Sequence, residues 1–388
     1  MKKICVVTGT RAEYGLLRPL LYRIKEDAES ELHLVVTGMH LSPEFGLTYR
    51  EIEQDGFTEY ERNEMLLSSD TKNGTAKSAG VGMVGFSDIY ARIRPDMVVI
   101  LGDRYEIFAA AAAAMLHTIP IAHIHGGEVT RGAVDEAIRH AITKMSTLHF
   151  TATERYRQRV IQMGEQPDHV HCVGALGIEN IRTQQLFDRE TMEESIGFSL
   201  DRPFVLVTFH PATWENISAA VQFGNLLRAL SALPYRVIFT KANADAQGYV
   251  INKMIDEYTE LRSEDTIAFT SLGMIRYLSA LRLCRMVIGN SSSGIIEAPS
   301  FHVPTINIGT RQQGRVRAAS VIDCGNGTED ILAAVRQAEL MYRQNQLERI
   351  VNPYEGRQPS QAIYEKIISY IEHDGAVEKS FYDLEETK

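Results

Sequence analysis

The chain has 388 residues with 44% hydrophobic content, which exceeds what one hydrophobic core usually supports, so two domains are expected. A net charge of −10 without any Lys/Arg run excludes nucleic acid and anionic membranes as expected partners. The four cysteines lie far apart and match neither a disulfide framework nor a zinc site. No apolar stretch has the length of a membrane span or of a signal peptide's core, so we expect a cytoplasmic protein.

The first half of the chain alternates short apolar runs with longer amphipathic stretches, which is the pattern of βαβ units. Most of these runs are rich in Val and Ile without alternation, as strands buried on both faces of a parallel sheet are. Strands are predicted at residues 4–8, 32–37, 97–101, 119–124, 148–151 and 169–173. They form a parallel sheet with helices on both sides.

A polar segment at residues 182–201 precedes a second series of the same kind. Its strands are predicted at 204–209, 236–240, 267–269, 286–289, 305–308 and 320–323, with helices near 328–343 and 360–372. The predicted fold class is therefore α/β, with two Rossmann-like domains that face a cleft. We place the domains at 1–175 and 176–365, followed by a C-terminal helix end and tail at 366–388, whose last dozen residues look loose.

Polar residues follow the predicted strands of the first half, where open parallel sheets bind their ligands. The first strand runs into GTRAEYG and an apolar helix, which places Arg11 and backbone N–H groups at a helix N-terminus suited to an anion. This turn also fits a purely structural role. The strand at 97–101 is followed by Asp103 and Arg104, which fit either a catalytic site or a helix-capping pair.

The next strand ends in HIHGGE, which places His123, His125 and Glu128 around a Gly-Gly turn. Four more ionisable residues follow on the next helix: Asp135, Glu136, Arg139 and His140. Imidazoles and carboxylates at consecutive strand ends are what acid–base chemistry needs. A structural role for His123 is an open alternative. So is metal binding by these groups, although no helical pair of histidines supports it.

Polar residues also follow the strands of the second half: His210, Asn243, Ser291, Ser292, Glu297 and Arg311. The run NSSSG joins a strand to a helix that is predicted to start at Ile295, and its hydroxyl and N–H groups fit a diphosphate cradle. Glu297 is then placed to bind ribose hydroxyls, and Arg311 to bind phosphate with two N–H groups. Simple N-capping is the alternative role for the serines.

Seven motifs in chain order resemble the hydrolysing UDP-N-acetylglucosamine 2-epimerase family, whose bacterial members begin the synthesis of sialic acids and related sugars. These motifs are TGTRAEYG, TGMHL, LGDRYEIF, HIHGGEVTRGAVDEAIRHAITKMS, FHPAT, IGNSSSGIIE and INIGTRQQGR. The resemblance extends from Lys2 to about Tyr382. It implies the two-domain fold of GT-B glycosyltransferases, with a C-terminal helix that returns to the first domain.

The resemblance also implies roles for individual residues. Arg11 and Arg311 would grip the diphosphate, with His210, Ser291 and Ser292 beside it, Glu297 on the ribose and Asn243 near the nucleoside. Asp103, Glu128 and Asp135 match acidic positions of the chemistry, with Arg104 and His40 as companions. Where several family members carry glutamate in an H-x-E-x-G turn, this chain has His125, so His125 and Glu128 both stay candidates for the acid or base.

The implied reaction eliminates UDP from a UDP-sugar and then hydrates the resulting 2-acetamidoglucal to the free 2-epimer. Neither a metal nor another cofactor is implied, and we expect a homodimer or homotetramer. Two related functions stay open, a non-hydrolysing 2-epimerase and a GT-B glycosyltransferase. A nucleotide-sugar sensor is disfavoured, because it would not need the carboxylates of the first half.

Overall fold

The computed structural model describes residues 1–67, 71–130, 134–211, 218–242, 248–373, 375 and 377–384. Within these residues the strands are β1 Lys2–Thr8, β2 Ser30–Thr37, β3 Glu61–Asn63, β4 Met97–Leu101, β5 Ile121–Ile124, β6 Leu148–Thr151, β7 Val170–Cys172, β8 Phe204–Thr208, β9 Arg236–Thr240, β10 Thr266–Phe269, β11 Met286–Gly289, β12 Thr305–Ile308 and β13 Val321–Cys324.

The helices of the same residues are α1 Arg11–Glu26, α2 Tyr49–Gln54, α3 Lys72–Ile93, α4 Tyr105–Leu116, α5 Val134–Met145, α6 Glu154–Gln162, α7 Leu176–Thr183, α8 Arg189–Ile196, α9 Ala219–Ser231, α10 Gly248–Leu261, α11 Gly273–Leu283, α12 Ser293–Ile296, α13 Thr328–Arg343 and α14 Pro359–His373. None of them is long and apolar enough to cross a membrane.

Within the described residues, the strands form two parallel sheets. One has the order β3-β2-β1-β4-β5-β6-β7, and the other has the order β10-β9-β8-β11-β12-β13. The predicted α/β class is confirmed, and each predicted strand is present with its ends shifted by about two residues at most. Strand β3 was not predicted, because its three residues are polar and form a sheet edge.

Strand β1 shows why the apolar runs lack alternation. Ile4 and Val6 pack in one buried cluster together with residues of α1 and α14. Cys5 and Val7 pack in a second cluster with residues of α3 and α4. Because helices cover both faces of the sheet, the run Ile4–Val7 at the centre of β1 is apolar at every position.

The chain divides into two compact units, one made of Met1–Glu128, Ala133–Asn180 and Tyr354–Lys388, and the other of Val129–Gly132 and Ile181–Pro353. The predicted boundary at 175 precedes the division after Asn180, and the one at 365 falls inside α14. Helix α14 belongs to the first unit because Ile363 and Ile367 are fully buried in its core. The C-terminal helix therefore returns to the first domain, as predicted.

Residues 379–382 are docked on the first unit, which corrects the predicted loose tail. The Nζ of Lys379 donates to Glu165 Oε2 at 2.6 Å and to the Ser146 carbonyl at 2.8 Å. The Glu165 side chain is only 3% exposed. The N–H of Tyr382 donates to the Gly164 carbonyl at 2.9 Å. Charge composition suggested a solvated segment, but a buried carboxylate on another element anchors it.

Candidate active site

A buried arginine organises the carboxyl ends of the first sheet. Arg139 of α5 is 2% exposed, and its guanidinium donates to Asp103, which follows β4. It also donates to Glu136 Oε2 at 2.9 Å and to the Glu128 carbonyl at 2.8 Å. One side chain thus connects the loop after β4, the turn after β5 and the first turns of α5. This arrangement brings Asp103 and Glu128 into one region, as the strand order predicts.

Asp135 is close enough to Asp103, Arg104 and Arg139 for their charges to act on it. Burial and then the negative charge of Asp103 raise the pKa of the Asp135 carboxyl, while the nearby Arg104 and Arg139 oppose that rise. Two carboxyl groups with different surroundings, one ion-paired and one that holds its proton more readily, are the kind of pair that supplies a base and an acid.

The turn after β5 holds His125 and Glu128 against each other. Nδ1 of His125 lies 3.4 Å from Oε1 of Glu128, and both side chains are at most 13% exposed. His125 has a φ of 69°, a left-handed conformation that is rare for residues other than glycine. Gly127 (φ 76°) is required here, since a Cβ would lie 2.5 Å from the Tyr156 carbonyl oxygen. The tight turn presents the imidazole and the carboxylate together.

The buried carboxylates of Glu13 and Glu106 lie near Arg104. Its Nη2 donates to Glu106 Oε1 at 3.1 Å, and the Glu106 side chain is fully buried. Glu13 Oε2 accepts from the N–H of Gly9 at 2.9 Å. Burial, together with the charge of Glu106, raises the pKa of Glu13 to about 7 against the opposing effect of Arg104. Arg104 is the N-cap residue of α4, but its side chain binds the Glu106 carboxylate and makes no capping hydrogen bond.

His40 and Arg11 have partners within the first unit. Nε2 of His40 lies 3.1 Å from Thr8 Oγ1, and Nδ1 lies 2.8 Å from Thr48 Oγ1. Burial lowers the pKa of His40 to about 4, so its imidazole is neutral at neutral pH. Nε of Arg11 donates to Glu51 Oε2 at 2.9 Å, and both side chains are more than a third exposed.

His123 is a structural residue. Its Nε2 lies 2.9 Å from the Gly102 carbonyl oxygen, and its Nδ1 lies 3.3 Å from the Thr143 hydroxyl. Burial lowers its pKa to about 3. Among the residues that the structure describes, no group of three or more His, Cys, Asp or Glu side chains is arranged to hold a metal ion.

In the second unit, the end of β8 is locked to the end of β11. The N–H of His210 donates to Asn290 Oδ1 at 2.7 Å, and Asn290 Nδ2 donates to the His210 carbonyl at 2.8 Å. Burial and the charge of Arg311 lower the pKa of His210 to about 3. The imidazole is therefore neutral at neutral pH, which suits it to donate a hydrogen bond to a phosphate oxygen.

The segment Asn290–Ser293 after β11, here called the serine loop, leads into a helix that starts earlier than predicted. Helix α12 starts at Ser293 rather than Ile295, and Glu297 is its C-cap residue. Ser292 occupies the N-cap position, but its hydroxyl makes no capping hydrogen bond. The Ser291 hydroxyl accepts from the Ser293 N–H at 3.4 Å, and the Ser293 hydroxyl accepts from Tyr277 at 2.8 Å. N-capping by Ser292 therefore does not explain this loop.

The loop after β12 reaches the serine loop through a backbone carbonyl. Arg311 Nη1 and Gln312 Nε2 both donate to the Asn290 carbonyl oxygen, at 3.0 and 2.8 Å. Arg311 is also close enough for its charge to act on His210. The predicted nucleoside residue Asn243 lies outside the described residues.

Sequence reasoning gave no role to four residues that organise these groups: Glu13, Glu106, Asn290 and Gln312. It placed Arg139 among the ionisable groups that follow β5 but did not predict its partners. All of them except Gln312 lie directly after a strand or within the first turns of the following helix, so position alone was a usable signal for these. The partners of Arg139, Asn290 and Gln312 lie on other elements, however, and no local pattern identifies those partners.

The fold and these residues define a two-sheet α/β enzyme. Residues 22–368 match the family described as UDP-N-acetylglucosamine 2-epimerase. A Campylobacter jejuni protein named GDP/UDP-N,N'-diacetylbacillosamine 2-epimerase (hydrolyzing) is 43% identical over 83% of this chain and 84% of its own. The polysialic acid biosynthesis protein P7 of Escherichia coli is 40% identical over 100% of this chain and 98% of its own. The chain belongs to the UDP-N-acetylglucosamine 2-epimerase family and is an enzyme of its hydrolysing kind.

Solved structures share the fold at low sequence identity. A crystal structure of UDP-GlcNAc 2-epimerase from Neisseria meningitidis bound to UDP-GlcNAc has a TM-score of 0.77 at 18% identity, covering 95% of this chain and 100% of its own. A UDP complex of MnaA from Staphylococcus aureus has a TM-score of 0.75 at 19% identity, covering 99% of this chain and 100% of its own. The GT-B-like class of the prediction is thereby confirmed.

Proposed function

We propose that the enzyme hydrolyses UDP-N-acetylglucosamine, or a UDP-2,4-diacetamido-6-deoxy relative, to UDP and the free sugar epimerised at C2. The carboxylate network around Arg139 carries this proposal, because inversion at C2 requires one group to remove a proton and another to return one. The matched family, described as UDP-N-acetylglucosamine 2-epimerase, supports the first sugar, and the relatives named for diacetylbacillosamine support the second.

The chemistry begins at the bond between C1 and the diphosphate oxygen. The hydrogen on C2 has no adjacent carbonyl to acidify it, so the C1–O bond breaks ahead of proton loss and UDP leaves with the bonding electrons. Positive charge and hydrogen-bond donors near the diphosphate stabilise that departure. The residues proposed to bind the nucleotide are Arg11, His210, Asn243, Ser291, Ser292, Glu297 and Arg311.

Two carboxyl groups then exchange protons with C2. Asp103, paired with Arg139, is proposed to remove the C2 proton and yield the 2-acetamidoglucal. Asp135, whose pKa burial raises, is proposed to return a proton on the opposite face of C2. His125 and Glu128 would activate the water that adds to C1. His40 holds the loop after β2 through its two threonine contacts and is proposed as a positioning residue.

Isotopes test the bonds that break and form. In D₂O the released sugar should carry deuterium at C2, since its hydrogen leaves and a solvent proton returns. UDP formed in ¹⁸O-water should contain no label, because water adds to carbon and not to phosphorus. Protium at C2 in D₂O, or a labelled diphosphate, would reject the glucal mechanism.

A pair of variants that flank β4 tests the role of Asp103. Asp103→Asn should abolish turnover and leave the affinity for UDP within a few-fold, as expected of a group that acts on the sugar. Asp96→Asn is the matched control, because Asp96 lies at the other end of the strand, where its carboxylate accepts from the Lys3 N–H at 2.8 Å. Calorimetry with UDP and a product assay decide the outcome. Loss of UDP binding in folded Asp103→Asn would move this residue to the nucleotide site.

Substrate identity and assembly need separate measurements. Mass spectrometry of products from a panel of UDP- and GDP-linked acetamido sugars identifies the sugar and the base. Release of free UDP distinguishes this reaction from reversible epimerisation of the intact nucleotide-sugar. The homodimer or homotetramer and the cytoplasmic location stay predictions, and light scattering tests the former.

A further inference from the structure

One buried asparagine holds both backbone groups of His210. Asn290 is 1% exposed, its Oδ1 accepts from the His210 N–H at 2.7 Å, and its Nδ2 donates to the His210 carbonyl at 2.8 Å. An amide carries an acceptor and a donor on one planar group, which a carboxylate or a hydroxyl does not reproduce in this geometry. The position of His210 relative to the serine loop is therefore set by a side chain 80 residues away in the chain.

The imidazole of His210 has a buried nitrogen that is available for a ligand contact. His210 is 9% exposed, and within the described part of the chain its buried Nδ1 has no hydrogen-bond partner. A buried polar atom without a partner is costly, by about 1–3 kcal/mol, unless a ligand or water completes it. Such an atom just after a central strand is suited to contact a ligand.

The backbone of Asn290 also links the end of β11 to Arg311 and Gln312, in the loop after β12. Its carbonyl oxygen accepts from Arg311 Nη1 at 3.0 Å and from Gln312 Nε2 at 2.8 Å. Its N–H donates to the Thr208 carbonyl at 3.1 Å. The preceding Gly289 has a φ of 146°, and a Cβ there would lie 1.9 Å from the same Thr208 oxygen. A glycine at position 289 therefore allows the ends of β8 and β11 to approach each other closely.

We infer that Asn290 is a positioning residue that sets the imidazole of His210 against the diphosphate of the nucleotide. The inference rests on the proposed binding of UDP by the second unit. Replacing the side chain of Asn290 removes the His210 clamp and leaves the backbone carbonyl that contacts Arg311 in place. Such a substitution should therefore change UDP affinity only by changing the position of His210.

A double-mutant cycle on UDP affinity tests this route. Asn290→Ala and His210→Ala should each weaken UDP binding by about ten- to a hundredfold, the range of one hydrogen bond to a charged group. In the His210→Ala background, Asn290→Ala should cost less than about twofold, because the group through which it acts is already gone. Asn290→Asp, which keeps the acceptor and loses the donor, gives a second measure if the alanine variant is unstable.

Asn225→Ala is the matched control, since Asn225 of α9 donates one bond to the Asn326 carbonyl at 2.8 Å and contacts none of these residues in the described structure. It should leave UDP affinity unchanged. Additive losses in the cycle, or unchanged UDP affinity in folded Asn290→Ala and Asn290→Asp, would overturn the inference alone. Failure of the wild-type protein to bind UDP would overturn the proposed function and the inference with it.

Discussion

Replacing Arg139 by lysine should impair both stability and turnover, because no ammonium group spans the three contacts of this guanidinium. Arg139 donates to Asp103, to Glu136 at 2.9 Å and to the Glu128 carbonyl at 2.8 Å, from a side chain that is 2% exposed. Lysine has three N–H groups on a single nitrogen and a different reach, so we expect it to keep one of these contacts.

The size of the effect follows from the contacts that are lost. Loss of the carbonyl contact costs about 1 kcal/mol, and loss of one charge-assisted bond costs about 1.5–3 kcal/mol. Asp103 and Glu136 are 25% and 30% exposed, so solvent screening reduces the second contribution. We therefore expect Arg139→Lys to lower the free energy of unfolding by about 2–3 kcal/mol. Turnover should fall further, since Asp103 loses its fixed position.

Urea unfolding and the value of kcat at saturating substrate measure these two effects. Arg157→Lys is the matched control, since Arg157 also makes three contacts, to the Val170 and Pro167 carbonyls at 2.7 and 3.1 Å and to Glu154 at 3.2 Å. The control should lower stability and leave kcat unchanged. An unchanged kcat in folded Arg139→Lys would refute the role assigned to this network.

Three further predictions concern the nucleotide, pH and metal. Arg311→Lys should weaken UDP binding by roughly 1–3 kcal/mol in calorimetry, because an ammonium does not reproduce a two-bond phosphate contact. The pKa of His123 is lowered from 6.5 to about 3, so its contribution to stability is present above pH 6.5 and is lost as the pH falls. Between pH 7 and 5.5, the wild type should therefore lose about 1.3 kcal/mol more unfolding free energy than His123→Gln. Turnover should be unaffected by EDTA, because arginines and backbone N–H groups supply the positive charge at the departing diphosphate.

Each of these has a control and a contrary outcome. Arg262→Lys, on an arginine that pairs with Asp265 beyond α10, should leave UDP affinity unchanged. His373→Gln, on an exposed histidine of α14, should show the same pH dependence as the wild type. Equal UDP affinity in Arg311→Lys, an identical pH slope in His123→Gln, or inhibition by EDTA that added metal reverses would each contradict the stated reason.

The amino-acid sequence alone determined the two sheets and the places where the site residues lie. Buried parallel strands are Val- and Ile-rich on both faces, as in β1 and β4, so their positions follow from local composition. Asp103 and His210 could be singled out because each comes directly after such a strand, and parallel strands bring their carboxyl ends to one edge of a sheet. These features depend on short stretches of chain, which is why they can be recognised in the sequence.

Only the tertiary structure decided which polar groups pair. Arg139 meets Asp103 across 36 residues, Asn290 meets His210 across 80, and Lys379 meets Glu165 across 214. None of these pairs has a periodicity or a spacing that marks it, because the partners belong to different elements. They meet through strand register, helix packing and the docking of the C-terminal segment, and the low-dielectric interior then makes an unpaired charge or polar group costly enough to hold each pair together.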